Sequence, residues 1–357
     1  GCRTRGLIII PIESASRVLV IGPAWIGDMV MAHCLFQTLK SRQADPTITL
    51  AAPPATARLA HRMPEIDEIV ETPFQHGHLH LADRFRIGRS LRGHRFDQAI
   101  VLPGSLKAAL LPFFAKIPIR TGYRGESRWG LINDPRPRPS TKEDPMAARF
   151  VQLGLAANAP AVSTYPHPHL ATHPDNVQQV FQRIGKNIAS VPAIAICPGA
   201  EFGPAKRWPE HHFAAVASHF LTQGWQVWLL GGEHDQKVAQ KIIETCDAPR
   251  DCVNLTGRTS IDEAIDLLAH ASAAVSNDSG LMHVAAATGT PVVGIFGASS
   301  EHHTPPLGPV VATVSQPLSC RPCFARHCPL GHKQCLETLE PDRVIASLSA
   351  LLEKPSQ

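Results

Sequence analysis

The stretch Ala274–Ala287 gathers a carboxylate, two hydroxyls, an amide, a glycine and an imidazole in Ser276, Asn277, Asp278, Ser279, Gly280 and His283. Apolar Ala273, Ala274 and Val275 predict the end of a buried strand, and Leu281, Val284 and Ala285 recur at helical spacing. Between them lie helix-capping residues and, in Gly280, a residue that lets another group approach the backbone. A strand turning straight into a helix points free N–H groups and the positive end of the helix dipole outward, which suits a phosphate or diphosphate. An ordinary capped helix in an α/β sheet would use the same residues, so groups elsewhere must decide.

Three further segments carry such groups. Gly22-Pro-Ala-Trp-Ile-Gly27-Asp28 follows an apolar strand and opens a helix. It is not G-x-G-x-x-G and lacks a following Lys-Ser/Thr, so neither a dinucleotide fingerprint nor a P-loop is supported. Asp28 is left as a helix cap or a general base. Cys197-Pro-Gly-Ala-Glu-Phe-Gly-Pro-Ala-Lys206-Arg207-Trp-Pro209 is a long loop after a strand. Lys206 on it can neutralise phosphate as a point charge, whereas Arg207 could equally pair with a surface carboxylate. Glu233, after Leu229-Leu230-Gly231-Gly232, could accept from a ribose hydroxyl or merely cap a helix.

Cys320, Cys323, Cys328 and Cys335 are spaced x2, x4 and x6, a pattern that matches no standard zinc ribbon. They are either a structural zinc site or reduced, redox-labile thiols, and the thiols are the favoured expectation. The cysteine count is nine, and Cys34, Cys197, Cys246 and Cys252 fall in apolar-periodic segments, so no disulfide framework is expected.

Arg84, Arg86, Arg89, Arg92 and Arg95 crowd one window, followed by Arg120, Arg124 and Arg128. Residues 1–165 carry 21 Lys+Arg against 13 Asp+Glu, and residues 166–357 carry 13 against 17. A solvated charged face is the usual reason for such runs. Here the excess is unbalanced, which favours an anionic ligand or an anionic membrane surface. Scarce aromatics weigh against nucleic acid.

These groups sit in a strand–helix alternation that restarts halfway. Arg17–Gly22, Thr47–Ala52, Ile66–Val70 and Gln98–Leu102 predict strands, with helices over Met29–Lys40, His78–Arg92 and Leu106–Ala115, the last kinked or shortened by Pro112. Pro and charge interrupt the pattern over Asn133–Pro145 and Asn158–Pro174, and a linker is placed at Pro166–Asp175. The second half resumes with strands at Ala193–Cys197, Gln226–Leu230, Cys252–Leu255 and Val292–Phe296. The expected fold class is α/β, two Rossmann-like doubly wound domains facing across a cleft. Residues 16–170 form the first domain, residues 175–340 the second, and 341–357 hold a helix packing back across the hinge. Residues 1–15 are left out of the fold. Their apolar patch is short for a signal peptide, and no apolar run approaches the ~18–20 residues of a membrane span, so a cytosolic protein is expected.

The segments Ile-Gly-Pro-Ala-Trp-Ile-Gly-Asp-Met-Val-Met, Cys197–Pro209, Ser276–Ala287 and Cys320–Leu336 together resemble the ADP-heptose–lipopolysaccharide heptosyltransferases of type II, in glycosyltransferase family 9, over about residues 17–350. The resemblance implies the GT-B arrangement and inverting transfer of L-glycero-D-manno-heptose from ADP-heptose to the first heptose of the inner core, on heptose-Kdo2-lipid A. It implies Asp28 as catalytic base and Lys206 beside the donor phosphates. Glu233 would meet the adenosine ribose, and Asp278, Ser279, Gly280 and His283 the diphosphate and sugar. Arg84, Arg86, Arg89, Arg120 and Arg124 of the basic half would meet the acidic, lipid A-anchored acceptor. No metal or other cofactor is expected to be required, though added Mg2+ could help ADP leave. Neither nucleic acid nor an obligate protein partner is expected, and the protein would work peripherally on the cytoplasmic face of the inner membrane. Other acceptor specificities (type I or protein-modifying), or a nucleotide-sugar-binding protein without turnover, remain open alternatives.

Overall fold

The computed structural model describes residues 15–353 apart from 43–44, 75–77, 139–140, 142–143, 187 and 189. The opening segment 1–14 thus lies outside the described residues. Contacts divide the chain into two units, and the division does not follow chain order. The first unit holds residues up to 24, 32–140 and 147–166, and the second holds 25–31, 141–146 and 167 onward.

The first half of the chain runs β1 (Arg17–Ile21), α1 (Ile26–Lys40), β2 (Thr47–Ala52), α2 (Pro54–Ala60), β3 (Glu68–Glu71), α3 (Leu81–Ser90), β4 (Gln98–Val101), α4 (Leu106–Phe114), β5 (Ile119–Tyr123), β6 (Asp134–Arg136) and α5 (Met146–Leu153). Its sheet is parallel throughout, in the order β3-β2-β1-β4-β5-β6. Val18, Leu19 and Val20 of β1 are wholly buried, as a central parallel strand covered on both faces requires. Two elements escape the apolar pattern. β5 is half polar, and β6 is three residues with Pro135 at the sheet edge, where a missing N–H is tolerated. A side-chain chain ties them in: Gln98 Nε2 donates to Thr121 Oγ1 (2.9 Å), which donates to Asp134 Oδ2 (2.7 Å). Pro112 lies inside α4.

The second half runs α6 (Asp175–Arg183), β7 (Ala193–Cys197), α7 (Glu210–Thr222), β8 (Gln226–Leu229), α8 (Gln236–Thr245), β9 (Cys252–Asn254), α9 (Ile261–His270), β10 (Ala273–Asn277), α10 (Gly280–Ala287), β11 (Val292–Phe296), β12 (Val311–Ser315), α11 (Gln334–Glu337) and α12 (Pro341–Leu352). The strand order β12-β11-β10-β7-β8-β9, again all parallel, is the same winding as the first sheet. In each sheet the direction of winding reverses beside the first strand, at β1/β4 and at β7/β10. Ligands of open α/β sheets bind at such switch points, beyond the strand C-termini.

α6 packs against α9, where Asn176 Nδ2 donates to Asp266 Oδ2 (2.7 Å) and Arg183 pairs with Glu263. α9 itself starts on a capping box, with Ser260 accepting from the Glu263 N–H and Glu263 accepting from the Ser260 N–H. The last helix buries Val344, Leu348 and Leu351 in the core of the second unit, against α7 and β10–β12. Its apolar stripe is spent on its own sheet.

Candidate active site

The switch point of the second sheet assembles most of the groups singled out from the sequence. β7 ends at Cys197, and the loop that follows closes in a single 3-10 turn, Pro204–Lys206. Gly203 in that loop has φ +157°, and a Cβ there would fall 2.6 Å from the Arg326 carbonyl oxygen, so only glycine fits. β10 ends one residue before Asp278. Asn277 couples the two strand ends: its Nδ2 donates to Pro198 O (2.7 Å), and its Oδ1 accepts from the Trp208 N–H (3.1 Å).

Lys206 Nζ lies 2.5 Å from Asp278 Oδ2, and the Asp278 side chain is only 3% exposed. Ser299 Oγ donates to the same carboxylate at 2.5 Å, and Thr304 Oγ1 stands 3.5 Å from Asp278 Oδ1. Ser299 and Thr304 are site residues the sequence did not disclose. They follow β11 through an unremarkable Gly-Ala-Ser-Ser run, whose only signal is a small-residue loop after a buried strand. Ser279 Oγ is 3.2 Å from Ser276 Oγ and makes no side-chain cap bond, so the first N–H groups of α10 are not capped by it.

The start of α1 belongs by contact to this unit. Gly27 lies against the His283 ring, where a Cβ would fall 2.8 Å from Cδ2, and Gly280 lies against Ile26 at the same distance. Two glycines therefore allow the first turn of α1 to meet the first turn of α10. Asp28, in that first turn of α1, has its carboxyl pKa raised to about 6. Burial is the main cause, Asp278 adds to it, and Lys206 opposes it. A helix start by itself favours the ionised carboxylate, and desolvation outweighs it here. His283 is buried, and its pKa falls to about 4. Burial is again the main cause, with Asp278 pulling upward and Lys206 downward. It is a neutral imidazole at physiological pH, and its Nδ1 has no hydrogen-bond partner among the described residues.

Glu233 opens the 3-10 turn Glu233–Asp235 after β8 and is exposed. The capping role goes to its neighbour, since Asp235 Oδ2 accepts from the Gly232 N–H (2.9 Å). Glu233 thus projects at the C-terminal end of the strand next to β7.

The arginines of the first unit do not act as one group. Arg84 is buried, donating from Nε to Leu79 O (2.7 Å) with its guanidinium 3.8 Å above the Phe74 ring. Arg120 donates to Leu131 O, Ile117 O and Gly130 O. Arg120 is spent on main-chain carbonyls and Arg84 on one carbonyl and the Phe74 ring, so the assignment of Arg84 and Arg120 to an acceptor is corrected. Arg128, also buried, likewise bonds Pro103 O and Tyr123 O. Arg86, which pairs with Asp83 (2.8 Å), Arg89 and Arg124 remain exposed.

Cys320, Cys323, Cys328 and Cys335 are free thiols around one cavity, with Arg321 and His332. Among the described residues, no three or more His, Cys, Asp or Glu side chains are arranged to hold a metal ion. The thiol loop supports the site from behind, as the Ala205 N–H donates to Arg326 O, and Arg321 Nε and Nη2 donate to Gly297 O and Ser299 O.

The fold agrees with the chain's relatives. Residues 84–334 match the model of glycosyltransferase family 9 (heptosyltransferase). The chain is 40% identical over 348 residues to lipooligosaccharide heptosyltransferase 2 of Haemophilus influenzae, covering 94% of this chain and 99% of that protein. Lipopolysaccharide heptosyltransferase 2 of Escherichia coli is 39% identical over 346 residues, with 94% and 98% covered. The solved structure of E. coli ADP-heptose lipopolysaccharide heptosyltransferase II superposes with a TM-score of 0.82 at 37% identity, over 94% of this chain and 98% of that one. Two parallel six-stranded sheets with flanking helices match that glycosyltransferase architecture. The chain therefore belongs to glycosyltransferase family 9, the heptosyltransferases.

Proposed function

We propose that this chain transfers L-glycero-D-manno-heptose from ADP-heptose to the first heptose of the lipopolysaccharide inner core, on heptose-Kdo2-lipid A, with inversion at the anomeric carbon. The near full-length identity to heptosyltransferases 2 supports the reaction. The observation that carries the mechanism is a carboxyl, Asp28, raised to about 6 beside the Lys206–Asp278 pair. A base with that pKa is ionised at neutral pH and is stronger than an ordinary aspartate, as general-base catalysis requires. Asp28 takes the proton of the acceptor hydroxyl as its oxygen attacks the anomeric carbon. The bond from that carbon to the diphosphate breaks on the opposite face. Lys206 and the N–H groups at the start of α10 meet the charge that develops on departing ADP. Asp278 holds Lys206 in place, His283 serves the donor as a neutral hydrogen-bonding group, and Glu233 accepts from the adenosine ribose.

The positive groups are supplied by the chain, so the reaction is assigned no metal, and Mg2+ would act only by aiding ADP release. The exposed arginines Arg86, Arg89 and Arg124 serve the acidic acceptor. No helix among the described residues is long and apolar enough to cross a membrane, and the reading places the protein on the cytoplasmic face of the inner membrane as a peripheral enzyme. The test is ADP release from ADP-heptose with heptose-Kdo2-lipid A and with Kdo2-lipid A. Turnover with the first acceptor alone is expected. Turnover with the second alone would make the chain a type I enzyme, and ADP-heptose binding without turnover on either would make it a binding protein.

A further inference from the structure

The acceptor of the proposed reaction is anchored in a lipid bilayer, and one face of the first unit is built to meet such a surface. On α3, Leu81 and Phe85 stand one helical turn apart, 50% and 44% exposed. α4 crosses α3 at Gly88, where a Cβ would fall 2.7 Å from Phe114 Cβ. That close approach seats Phe85 edge-on against Phe114, with ring centroids 5.4 Å apart, and Phe114 in turn packs on Phe113, which is 42% exposed. Leu79, just before α3, is exposed as well. Large apolar side chains of two helices thus converge on one outward face.

Among the described residues, Arg89 and Lys116 near that face have no ion-pair partner. Residues 81–120 carry eight Lys+Arg and two acids, Asp83 and Asp97. Asp97 is occupied by the main chain, accepting from the Ser16 and Arg17 N–H groups, and Asp83 pairs with Arg86. Arg89 on α3 and Lys116 just beyond α4 remain exposed beside the apolar cluster. An apolar centre with a cationic rim is complementary to an anionic bilayer, where the side chains enter the headgroup boundary and the cations stay with the lipid charges. A folded protein surface kept in water would gain nothing from exposing these groups together.

We propose that the α3–α4 face, with Leu81, Phe85 and Phe113 at its centre and Arg89 and Lys116 at its rim, docks the protein onto an anionic lipid bilayer. The inference rests on the lipid-anchored acceptor of the proposed function, and its test reads lipid binding apart from heptose transfer. The full chain is sedimented with acceptor-free vesicles of phosphatidylcholine alone or with about a third phosphatidylglycerol. Binding to the anionic vesicles only, weakening as salt rises, is expected. Each surface cation contributes roughly a fivefold change in partition, so R89S/K116S should lower binding about tenfold or more. L81S/F85S should lower it to a similar extent, while keeping its melting temperature and its transfer rate on a deacylated, soluble acceptor. The proposal is overturned by equal binding to both kinds of vesicle, or by no binding to either. It is equally overturned if both variants bind like the parent, or if L81S/F85S loses self-association rather than lipid binding, which would give the face to a second copy of the chain. Loss of transfer with every acceptor would instead count against the proposed function and leave the vesicle result standing.

Discussion

The Lys206 ammonium and the Asp278 carboxylate, 2.5 Å apart, join the first loop of the second sheet to the loop across its switch point. Neither residue reaches the other through local sequence, since 72 positions separate them. The strand order alone brings them together, because β7 and β10 are neighbours and each delivers its residue beyond its C-terminal end. Asp278 would carry a heavy desolvation cost if it stood alone, and Lys206, Ser299 and Thr304 offset it.

Lys206→Ala should accordingly have two effects. Losing a charge-assisted contact to the diphosphate weakens ADP binding by about 1–3 kcal/mol. Leaving a buried carboxylate with hydroxyl partners only should also lower the melting temperature. Titration calorimetry and thermal melts check both. Unchanged ADP affinity would remove Lys206 from the donor site whatever the melt shows.

The arginines of the first unit should separate into two groups. Arg84→Ala strips a buried guanidinium from Leu79 O and the Phe74 ring, so it should cost roughly 1–3 kcal/mol of stability. Arg86→Ser with Arg89→Ser touches only exposed groups and should leave stability within about 0.5 kcal/mol. The exposed pair should raise the KM for the lipid acceptor, with an effect that shrinks as salt rises, and leave the KM for ADP-heptose alone. An equal rise for both substrates would show that the pair does not serve the acceptor.

Which parts of this were legible in the sequence follows from how each residue gets its role. Lys206, Asp278 and Glu233 each follow an apolar run, so the end of a strand announces them. Ser299 is important only because Asp278 arrives from the neighbouring strand, and nothing in its own neighbourhood says so. The winding of both sheets is legible from their buried central strands. Strands β5, β6 and β12 are not, because they are partly polar and carry little hydrophobic periodicity. Arginine spacing cannot tell which guanidinium turns inward. Arg84 does so because Phe74 and the Leu79 carbonyl, both in the preceding loop, happen to receive it. The raised pKa of Asp28 was also out of reach, since helix position predicts the opposite sign and only burial overrules it.

His283 should make the fold acid-sensitive. Its pKa falls from 6.5 to about 4 on folding, so between those values the unfolded chain binds the extra proton. The His283 contribution to stability should therefore rise with pH across that window, and it is lost as pH falls from 6.5 towards 4. A shift of that size corresponds to roughly 3 kcal/mol as an order of magnitude. Denaturant melts at a series of pH values check it against His283→Gln, which keeps a neutral polar side chain and should lose stability less steeply than the parent as pH falls from 6.5 towards 4. An identical profile in the variant would place the acid sensitivity elsewhere.

Asp28 gives the most discriminating test, because activity and stability should move in opposite directions. As the base it must be ionised, so kcat/KM should fall about tenfold per pH unit below about 6 and level off above it. Asp28→Asn keeps the size and the capping ability but cannot take a proton, so kcat should drop by about 10²–10⁴ and the acid limb should disappear. The linkage runs the other way for folding. The native carboxyl holds its proton up to about 6, whereas an unfolded aspartate releases it near 3.8, so the Asp28 contribution to stability falls as pH rises through that window and opposes that of His283. Asparagine carries no such cost, and the variant should be at least as stable as the parent at pH 8, with the difference closing below pH 4. ADP affinity should be nearly unchanged in the variant, because the donor groups follow β7 and β10. Near-parental turnover in Asp28→Asn would make Asp28 a helix cap. The proton would then have to pass to Asp278 or His283, and His283, with its unpartnered Nδ1, would be the next to replace.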